Sequence, residues 1–245
     1  MLRERHWKPE SLFRLLMGVL MGFAVSGFLS AMLSARIASI WPSSVVHPVK
    51  FTAFLFGALA FHGVAIPGIG YFLWEQHRKW SEAFDCPGPQ PIRAIKLGIL
   101  GALVVIPLAY GLQAVSVWAM EKVGIHPSLQ DAVELLEQEP AWFVRMTFFV
   151  FAVIAAPVIE ECIFRGILFS ALRDAGFRRL AYTVSALIFG AIHMNAAAFL
   201  PLTLFGLVQA HFYQRSGSLL TPILTHAVFN LAPFVTMWLG MAGPN

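Results

Sequence analysis

Long runs of apolar residues dominate the chain, and short polar connections separate them. A helix that crosses a bilayer needs about 20 mostly apolar residues, and a backbone in hydrocarbon must pair its own polar groups, which favours helices. The runs are continuous rather than alternating, so they do not fit the strands of a membrane barrel. Seven runs approach or reach the spanning length: Leu12–Leu33, Phe51–Leu73, Leu97–Met120, Met146–Leu172, Leu180–Ile192, Ala196–Tyr213 and Leu219–Leu239. We therefore predict an all-α, polytopic transmembrane helical bundle.

Basic residues are concentrated in alternate connections between the runs. They occur in the N-terminal tail, after the second run and after the fourth run: Arg3, Arg5, Lys8, Arg14; Arg78, Lys79, Arg93, Lys96; Arg173, Arg178 and Arg179. Cytoplasmic connections carry the excess of lysine and arginine in membrane proteins. The bias predicts a cytoplasmic N-terminus, and we expect the protein in the cell (plasma) membrane.

The connection before the fourth run is acidic and amphipathic. In the sequence HPSLQDAVELLEQEP, the residues Leu129, Ala132, Val133 and Leu136 follow a helical spacing. We predict a short helix on the outer membrane surface, either a solvated connector or a lid over a site in the membrane. No shift in composition marks a second domain. Residues 1–245 are therefore predicted to form one membrane domain, with the N-terminal spans and this helix in 1–140 and the remaining helices in 141–245.

The composition requires lipid as the surroundings of the chain. Hydrophobic residues make up 58% and charged residues 12%, whereas soluble domains contain roughly 45–50% and about 25%. The mean hydropathy is +0.71. The net charge of +4 does not gather on one face or tail, so the basic residues indicate topology and not a nucleic-acid partner.

The fourth run contains ionisable side chains in the sequence VIEECIFRGIL. Each such group costs at least about 2.5 kcal/mol inside a bilayer, so it usually has a function. Glu161 and Arg165 have the four-residue spacing of an ion pair along one helix, and Glu160, about 100° away, is left free to act. A pair that only fixes helix register is the alternative, but it leaves Glu160 unexplained. Pro157, just upstream, can kink or break the helix.

Two later runs contribute histidine and asparagine side chains. His193 ends the fifth run and shares a helix face with Phe189, four residues before it. His226 and Asn230 are four residues apart in the seventh run, so both project from one side of that helix. Each feature alone also fits a buried histidine or hydrogen bonding between helices, which is worth about 0.6 kcal/mol on average.

Together, these residues form a set that can hydrolyse a peptide bond. A carboxylate and a histidine can bind and deprotonate water, and a second histidine with an asparagine can donate to the oxyanion that forms. The sequence therefore predicts an intramembrane endopeptidase with the catalytic residues Glu160, His193, His226 and Asn230. A proton-coupled transporter with Glu160 and the histidines as a relay is an alternative, although the internal repeats typical of transporters are not found.

The stretch from Glu160 to Asn230 resembles the CPBP family of intramembrane proteases (CAAX proteases and bacteriocin-processing enzymes, also called Abi), which includes the type II CAAX-prenyl endopeptidases. Three motifs carry the resemblance: EExxxR at Glu160, Glu161 and Arg165; FxxxH at Phe189 and His193; HxxxN at His226 and Asn230. Each motif is short, but all three occur in order in consecutive apolar segments. The N-terminal spans match only as generic membrane helices. The resemblance also allows an eighth span, if the long fourth segment is broken.

The resemblance implies a role for each motif residue. Glu160 would be the general base, and His193 would help to hold the water. His226 and Asn230 would form the oxyanion site. The supporting residues would be Glu161, Arg165 and Phe189.

No cofactor is expected, with zinc as the alternative. His193, His226 and Glu160 would make a plausible His₂Glu zinc set. Asn230 is a poor zinc ligand, however, and the chain has no HExxH sequence. We therefore favour hydrolysis by a glutamate and water without a metal.

The resemblance leaves the substrate and one non-enzymatic function open. A bacteriocin self-immunity protein could retain the same motifs without catalysis, although the complete residue set argues against it. Membership of a family does not name the substrate. The expected partners are membrane lipid and a membrane-anchored or lipidated protein or peptide.

Overall fold

The computed structural model describes residues 4–40, 46–127 and 141–239. All regular elements within these ranges are helical, which confirms the all-α fold. In chain order they are α1 (Pro9–Ile40), α2 (Val46–Glu75), α3 (Trp80–Phe84), α4 (Pro91–Lys122), α5 (Trp142–Asp174), α6 (Arg178–Ala191), α7 (Ala196–Ser216) and α8 (Leu220–Trp238). The predicted acidic amphipathic helix falls at residues 128–140, outside the described residues.

Six of the described helices are long and apolar enough to cross a membrane, namely α1, α2, α4, α5, α7 and α8. The chain is thus a multi-pass integral membrane protein, and the predicted seven to eight spans are slightly more than these six helices. The predicted fifth span, Leu180–Ile192, corresponds to α6, which has 14 residues. At about 1.5 Å per residue it reaches roughly 21 Å, less than the hydrocarbon thickness of about 30 Å. The option of an eighth span required a break in α5, and α5 is continuous.

Helix α5 changes its hydrogen-bond register on both sides of Pro157. Val150–Ala155 and Cys162–Phe169 are π-helical, and Ala156–Glu161 between them is α-helical. A proline inside a helix removes one N–H donor and crowds the preceding turn, and π-helical turns often occur at functional sites. The helix therefore changes register around Pro157 and continues to Asp174, so the predicted break is absent.

Helix α4 packs closely against α7 and α8 through small residues. A Cβ atom at Gly101 would lie 2.7 Å from Thr225 Oγ1. The Thr225 hydroxyl donates to the Gly98 carbonyl at 2.8 Å, and the Thr221 hydroxyl donates to the Ala94 carbonyl at 3.0 Å. Small residues and hydrogen bonds between helices stabilise contacts in lipid, where the hydrophobic effect does not. These contacts fix α8, the helix with the HxxxN motif, against α4.

The connections that carry the basic residues meet at one face of the bundle. Arg5 is buried; its Nη2 donates to Asp85 Oδ2, and its backbone N–H donates to Asp174 Oδ2, both at 2.9 Å. Between α7 and α8, the Ser218 hydroxyl donates to the Pro87 carbonyl at 2.8 Å. The N-terminal tail, the connection after α2, the end of α5 and the α7–α8 turn therefore lie on the same side.

The short helix α3 places an aromatic ring against the EExxxR segment. Phe84 is fully buried, and a Cβ atom at Gly166 would lie 2.5 Å from its ring. The Leu219 N–H also donates to the Phe84 carbonyl at 3.3 Å. Gly166 directly follows Arg165, so the absence of a side chain at this position lets α3 pack against the turn that carries the arginine.

Candidate active site

Glu161 lies at the centre of a buried polar network. Its Oε1 atom is 3.0 Å from Arg165 Nη1, 3.3 Å from Gln209 Nε2 and 2.9 Å from His226 Nδ1. All four side chains are buried. A buried charge is costly unless it is paired and hydrogen-bonded, and here three groups from α5, α7 and α8 surround one carboxylate oxygen. The predicted Glu161–Arg165 ion pair is present, but it is one part of a larger network.

Phe189 brings the three motifs together. The Arg165 guanidinium carbon lies 4.6 Å from the centre of the Phe189 ring, a favourable arrangement of a cation over an aromatic face. The Phe189 ring is also 5.0 Å from the His193 ring and 5.8 Å from the His226 ring. The guanidinium of Arg165 also bonds to α7, where its Nη2 donates to the Gly206 carbonyl at 3.2 Å. The arginine is thus held by α6 and α7 as well as by Glu161.

His226 lies between the two glutamates. Its Nδ1 atom is 2.9 Å from Glu161 Oε1, and its Nε2 atom is 3.9 Å from Glu160 Oε2. An ionised carboxylate only accepts hydrogen bonds, so the network assigns a proton to Nδ1. The Nε2 atom then faces Glu160, at a distance longer than a direct hydrogen bond.

Glu160 is the more accessible of the two carboxylates. Its side chain is 15% exposed, whereas that of Glu161 is 0% exposed. The Oε2 atoms of both glutamates are buried and have no hydrogen-bond partner among the described residues. Buried polar atoms are usually hydrogen-bonded, and an unpaired one calls for an explanation such as a catalytic role. Its greater exposure therefore makes Glu160 the carboxylate that water or substrate can reach more easily.

His193 is placed near this network but is not part of it. Its Nδ1 atom is 2.8 Å from the Phe189 carbonyl oxygen, which only accepts, so Nδ1 carries a proton and Nε2 is left for another partner. No hydrogen bond or ion pair joins His193 to Glu160 in the described parts of the chain. The structure brings Glu160, Glu161 and His226 together and places His193 next to the Phe189 ring.

Asn230 contacts the first π-helical turn of α5. Its Nδ2 atom donates to the Ala152 carbonyl at 2.8 Å. An amide nitrogen carries two hydrogens. One N–H is bound to the backbone of α5, and the second can donate to another acceptor. Asn230 lies one helical turn after His226, so the two side chains project from the same side of α8.

Comparison with known proteins concerns the same part of the chain. Residues 141–232 match the family model described as type II CAAX prenyl endopeptidase Rce1-like. Over these residues the chain is similar to the CPBP family, whose motifs they contain. A Bacillus subtilis (strain 168) protein named "Putative membrane peptidase YdiL" is 35% identical over 77 residues, which cover 31% of this chain and 32% of that protein. The match thus spans about a third of the length of this curated relative. No solved structure matches the chain significantly.

The CPBP motif residues do not form a His₂Glu metal site as they are arranged. Such a site would need His193, His226 and Glu160 to converge on one point. Among the described residues, no group of three His, Cys, Asp or Glu side chains lies close enough to hold a metal ion. The bond from His226 Nδ1 to Glu161 leaves Nε2 available, which also suits a metal ligand. Hydrolysis without a metal therefore stays a prediction.

Gln209 is a member of the network that the CPBP motifs do not include. Besides its bond to Glu161, its Nε2 atom donates to the Pro222 carbonyl at 2.8 Å. Pro222 lies one helical turn before His226, so Gln209 holds both the carboxylate and the turn that carries the histidine. The sequence analysis missed this residue because a single neutral glutamine has no spacing partner. Its position within an apolar run was the only available signal.

Replacing Gln209 should slow the peptide hydrolysis that is proposed below, without unfolding the protein. Gln209→Leu keeps most of the volume but removes a donor to Glu161. A hydrogen bond to a charged group is worth about 1.5–3 kcal/mol, and about 1.4 kcal/mol changes a rate tenfold. We therefore expect kcat to fall by roughly 10- to 100-fold with little change in KM. Gln214→Leu, a half-buried glutamine on the same helix, is the control, and equal kinetics for the two variants would exclude a positioning role for Gln209.

Proposed function

We propose that the chain is an intramembrane endopeptidase that hydrolyses a peptide bond with water activated by Glu160. The observation that carries the proposal is the arrangement of Glu160 opposite His226, whose ring is oriented by the buried Glu161. The match to type II CAAX prenyl endopeptidases and the name of the Bacillus subtilis relative both support a membrane protease in general.

In the proposed reaction, Glu160 takes a proton from a water molecule that His193 helps to hold. The resulting hydroxide attacks the carbonyl carbon of the scissile bond, and the developing oxyanion accepts hydrogen bonds from His226 and Asn230. The C–N bond of the tetrahedral intermediate then breaks, and Glu160 returns the proton to the leaving amine. One water is consumed, and one carboxyl and one amino terminus are formed.

Glu161 prepares His226 to act as a donor. Because Nδ1–H is bound to the carboxylate, the ring can offer a hydrogen bond at Nε2 only when a second proton is present there. The charge of Glu161 stabilises that doubly protonated ring, as a buried carboxylate does for the histidine of serine proteases. Arg165 and Gln209 keep the carboxylate in place. This arrangement gives Glu161 a positioning role and leaves the proton transfer to Glu160.

The proposed substrate is a membrane-anchored or lipidated protein or peptide. The test is a comparison of protein termini in a strain that lacks the protein, complemented with the wild-type chain or with the variant Glu160→Gln. We expect one or more membrane-associated proteins to regain a processed terminus only with the wild type. A processed terminus that does not depend on the chain would contradict the proposal and favour an immunity function.

Removal of metal should leave the activity unchanged. In the proposed reaction the charges are supplied by Glu160, His226 and Asn230, so prolonged treatment with a strong chelator should preserve hydrolysis, and elemental analysis should find no stoichiometric zinc. Loss of activity in chelator, with recovery on addition of zinc, would contradict this expectation. In that case His193, His226 and Glu160 would have to move together to bind the ion.

We also propose that the N-terminus faces the cytoplasm and that the membrane is the plasma membrane. The connections that meet at one face of the bundle are those rich in lysine and arginine, as the positive-inside rule requires of the cytoplasmic side. Reporter fusions within residues 76–93 should give cytoplasmic signals, and fusions within residues 124–140 should give external signals. The opposite pattern would reverse the orientation.

A further inference from the structure

The first π-helical turn of α5 leaves one backbone carbonyl without its helical donor. In this turn the Ala156 N–H donates to the Phe151 carbonyl, five residues earlier. The next bond in the same register would run from the N–H of residue 157 to the Ala152 carbonyl. Residue 157 is proline, which has no N–H. An unpaired backbone carbonyl within a membrane span costs free energy because no water is present to pair with it.

The side chain of Asn230 supplies the missing donor. Its Nδ2 atom is 2.8 Å from the Ala152 carbonyl oxygen, the acceptor that the proline leaves unused. Helix α8 thereby completes the hydrogen bonding of α5. The same bond fixes the plane of the Asn230 amide. The two N–H bonds of an amide nitrogen are about 120° apart in that plane, so binding one of them sets the direction of the other.

We infer that Pro157 is a positioning residue for Asn230: by withholding its own N–H, it reserves the Ala152 carbonyl to hold the Asn230 amide in one orientation. The inference rests on the proposed function, in which the second N–H of Asn230 binds the oxyanion. A donor preorganised before the charge develops contributes more than one that must first reorient. The proline and the asparagine, 73 residues apart in the sequence, would then act as one unit.

The kinetic test is a double-mutant cycle with Pro157→Ala and Asn230→Ala. Alanine at residue 157 provides an N–H that competes for the Ala152 carbonyl and releases the Asn230 amide. We expect kcat to fall about tenfold or more with KM unchanged, as a part of the roughly 10²–10³-fold loss expected for Asn230→Ala. In the Asn230→Ala background, Pro157→Ala should cause no further loss. Losses that multiply would show that Pro157 acts on another group and would overturn the inference.

A second cycle uses thermal stability and needs no substrate. In the wild-type background, Asn230→Ala strands the Ala152 carbonyl and should lower the Tm by about 2–8 °C. In the Pro157→Ala background the new N–H pairs that carbonyl, so the same change should have a much smaller effect. Equal Tm shifts in the two backgrounds would overturn the inference. Pro107→Ala, at an exposed proline inside α4, is the control and should leave the effect of Asn230→Ala unchanged.

The two cycles separate the inference from the proposed function. If the wild-type chain hydrolyses no substrate, the proposed function fails, and the thermal cycle alone decides whether Pro157 and Asn230 are coupled. If Pro157→Ala does not yield folded protein, Pro157→Ser provides the same N–H and replaces it in both cycles. The two cycles could also disagree, with coupled effects on the Tm but losses of kcat that multiply. That result would show that Pro157 and Asn230 form only a structural contact, and it would overturn the positioning role.

Discussion

Glu160→Gln should lower kcat by about 10²–10⁴-fold, the usual contribution of a general base. Glutamine has the same shape as glutamate but cannot take a proton from water at neutral pH. The fold should survive, because a neutral amide is easier to bury in a membrane span than a carboxylate. The network around Glu161 also does not depend on Glu160, since Arg165, Gln209 and His226 Nδ1 all contact the other carboxylate.

The control for this variant is a glutamate outside the network. Glu121→Gln, at the exposed end of α4, should retain wild-type activity and yield. Both variants should be measured in the same detergent or lipid, together with their thermal stability. A fully active Glu160→Gln variant would exclude water activation by this residue and would favour the immunity or transporter alternatives.

Arg165→Ala should destabilise the protein by about 3–5 kcal/mol, because it leaves a buried carboxylate without its charged partner. The side chains of Arg165 and Glu161 are 0% exposed, and the guanidinium also fills the space over Phe189. We expect a much lower yield of folded protein in detergent and a lower unfolding temperature. Arg165→Ala with wild-type stability but no activity would instead make Arg165 a catalytic group.

A double variant separates the charge from the packing. Glu161→Leu combined with Arg165→Leu removes both charges and fills part of the volume, and replacements of this kind are often neutral or stabilising. We expect it to recover much of the folded yield lost in Arg165→Ala. It should nevertheless be inactive, because His226 loses the carboxylate that orients its ring. An active double variant would show that Glu161 has no positioning role.

The apolar pattern predicted the helices well, but it did not determine which of them span the membrane. The predicted run Met146–Leu172 lies within α5, and the predicted run Leu180–Ile192 nearly coincides with α6. Helix α6 is apolar like the six long helices, and its length of 14 residues is what sets it apart from them. The π-helical turns of α5 also could not be predicted, since they change the backbone register without changing the hydrophobic periodicity.

The contacts along one helix were predictable from spacing, whereas contacts between helices were not. Glu161 and Arg165 form the ion pair that their four-residue spacing predicts. The bond from His226 to Glu161 joins α8 to α5, and its geometry depends on how the helices cross. The spacing argument assigned Glu161 to Arg165 alone and therefore missed that it also orients His226. The roles of Glu160, His193 and Asn230 in catalysis stay predictions.

The most direct test of the account is hydrolysis of a membrane-anchored substrate by the purified protein in proteoliposomes that contain a strong chelator and ¹⁸O-labelled water. The substrate would be the one identified by comparison of protein termini, and mass spectrometry would read the products. We predict cleavage of one internal peptide bond by the wild type, with one ¹⁸O atom in the new carboxyl terminus, and a rate about 10²–10⁴-fold lower for Glu160→Gln. No cleavage by the wild type under these conditions, or equal cleavage by both proteins, would contradict the account.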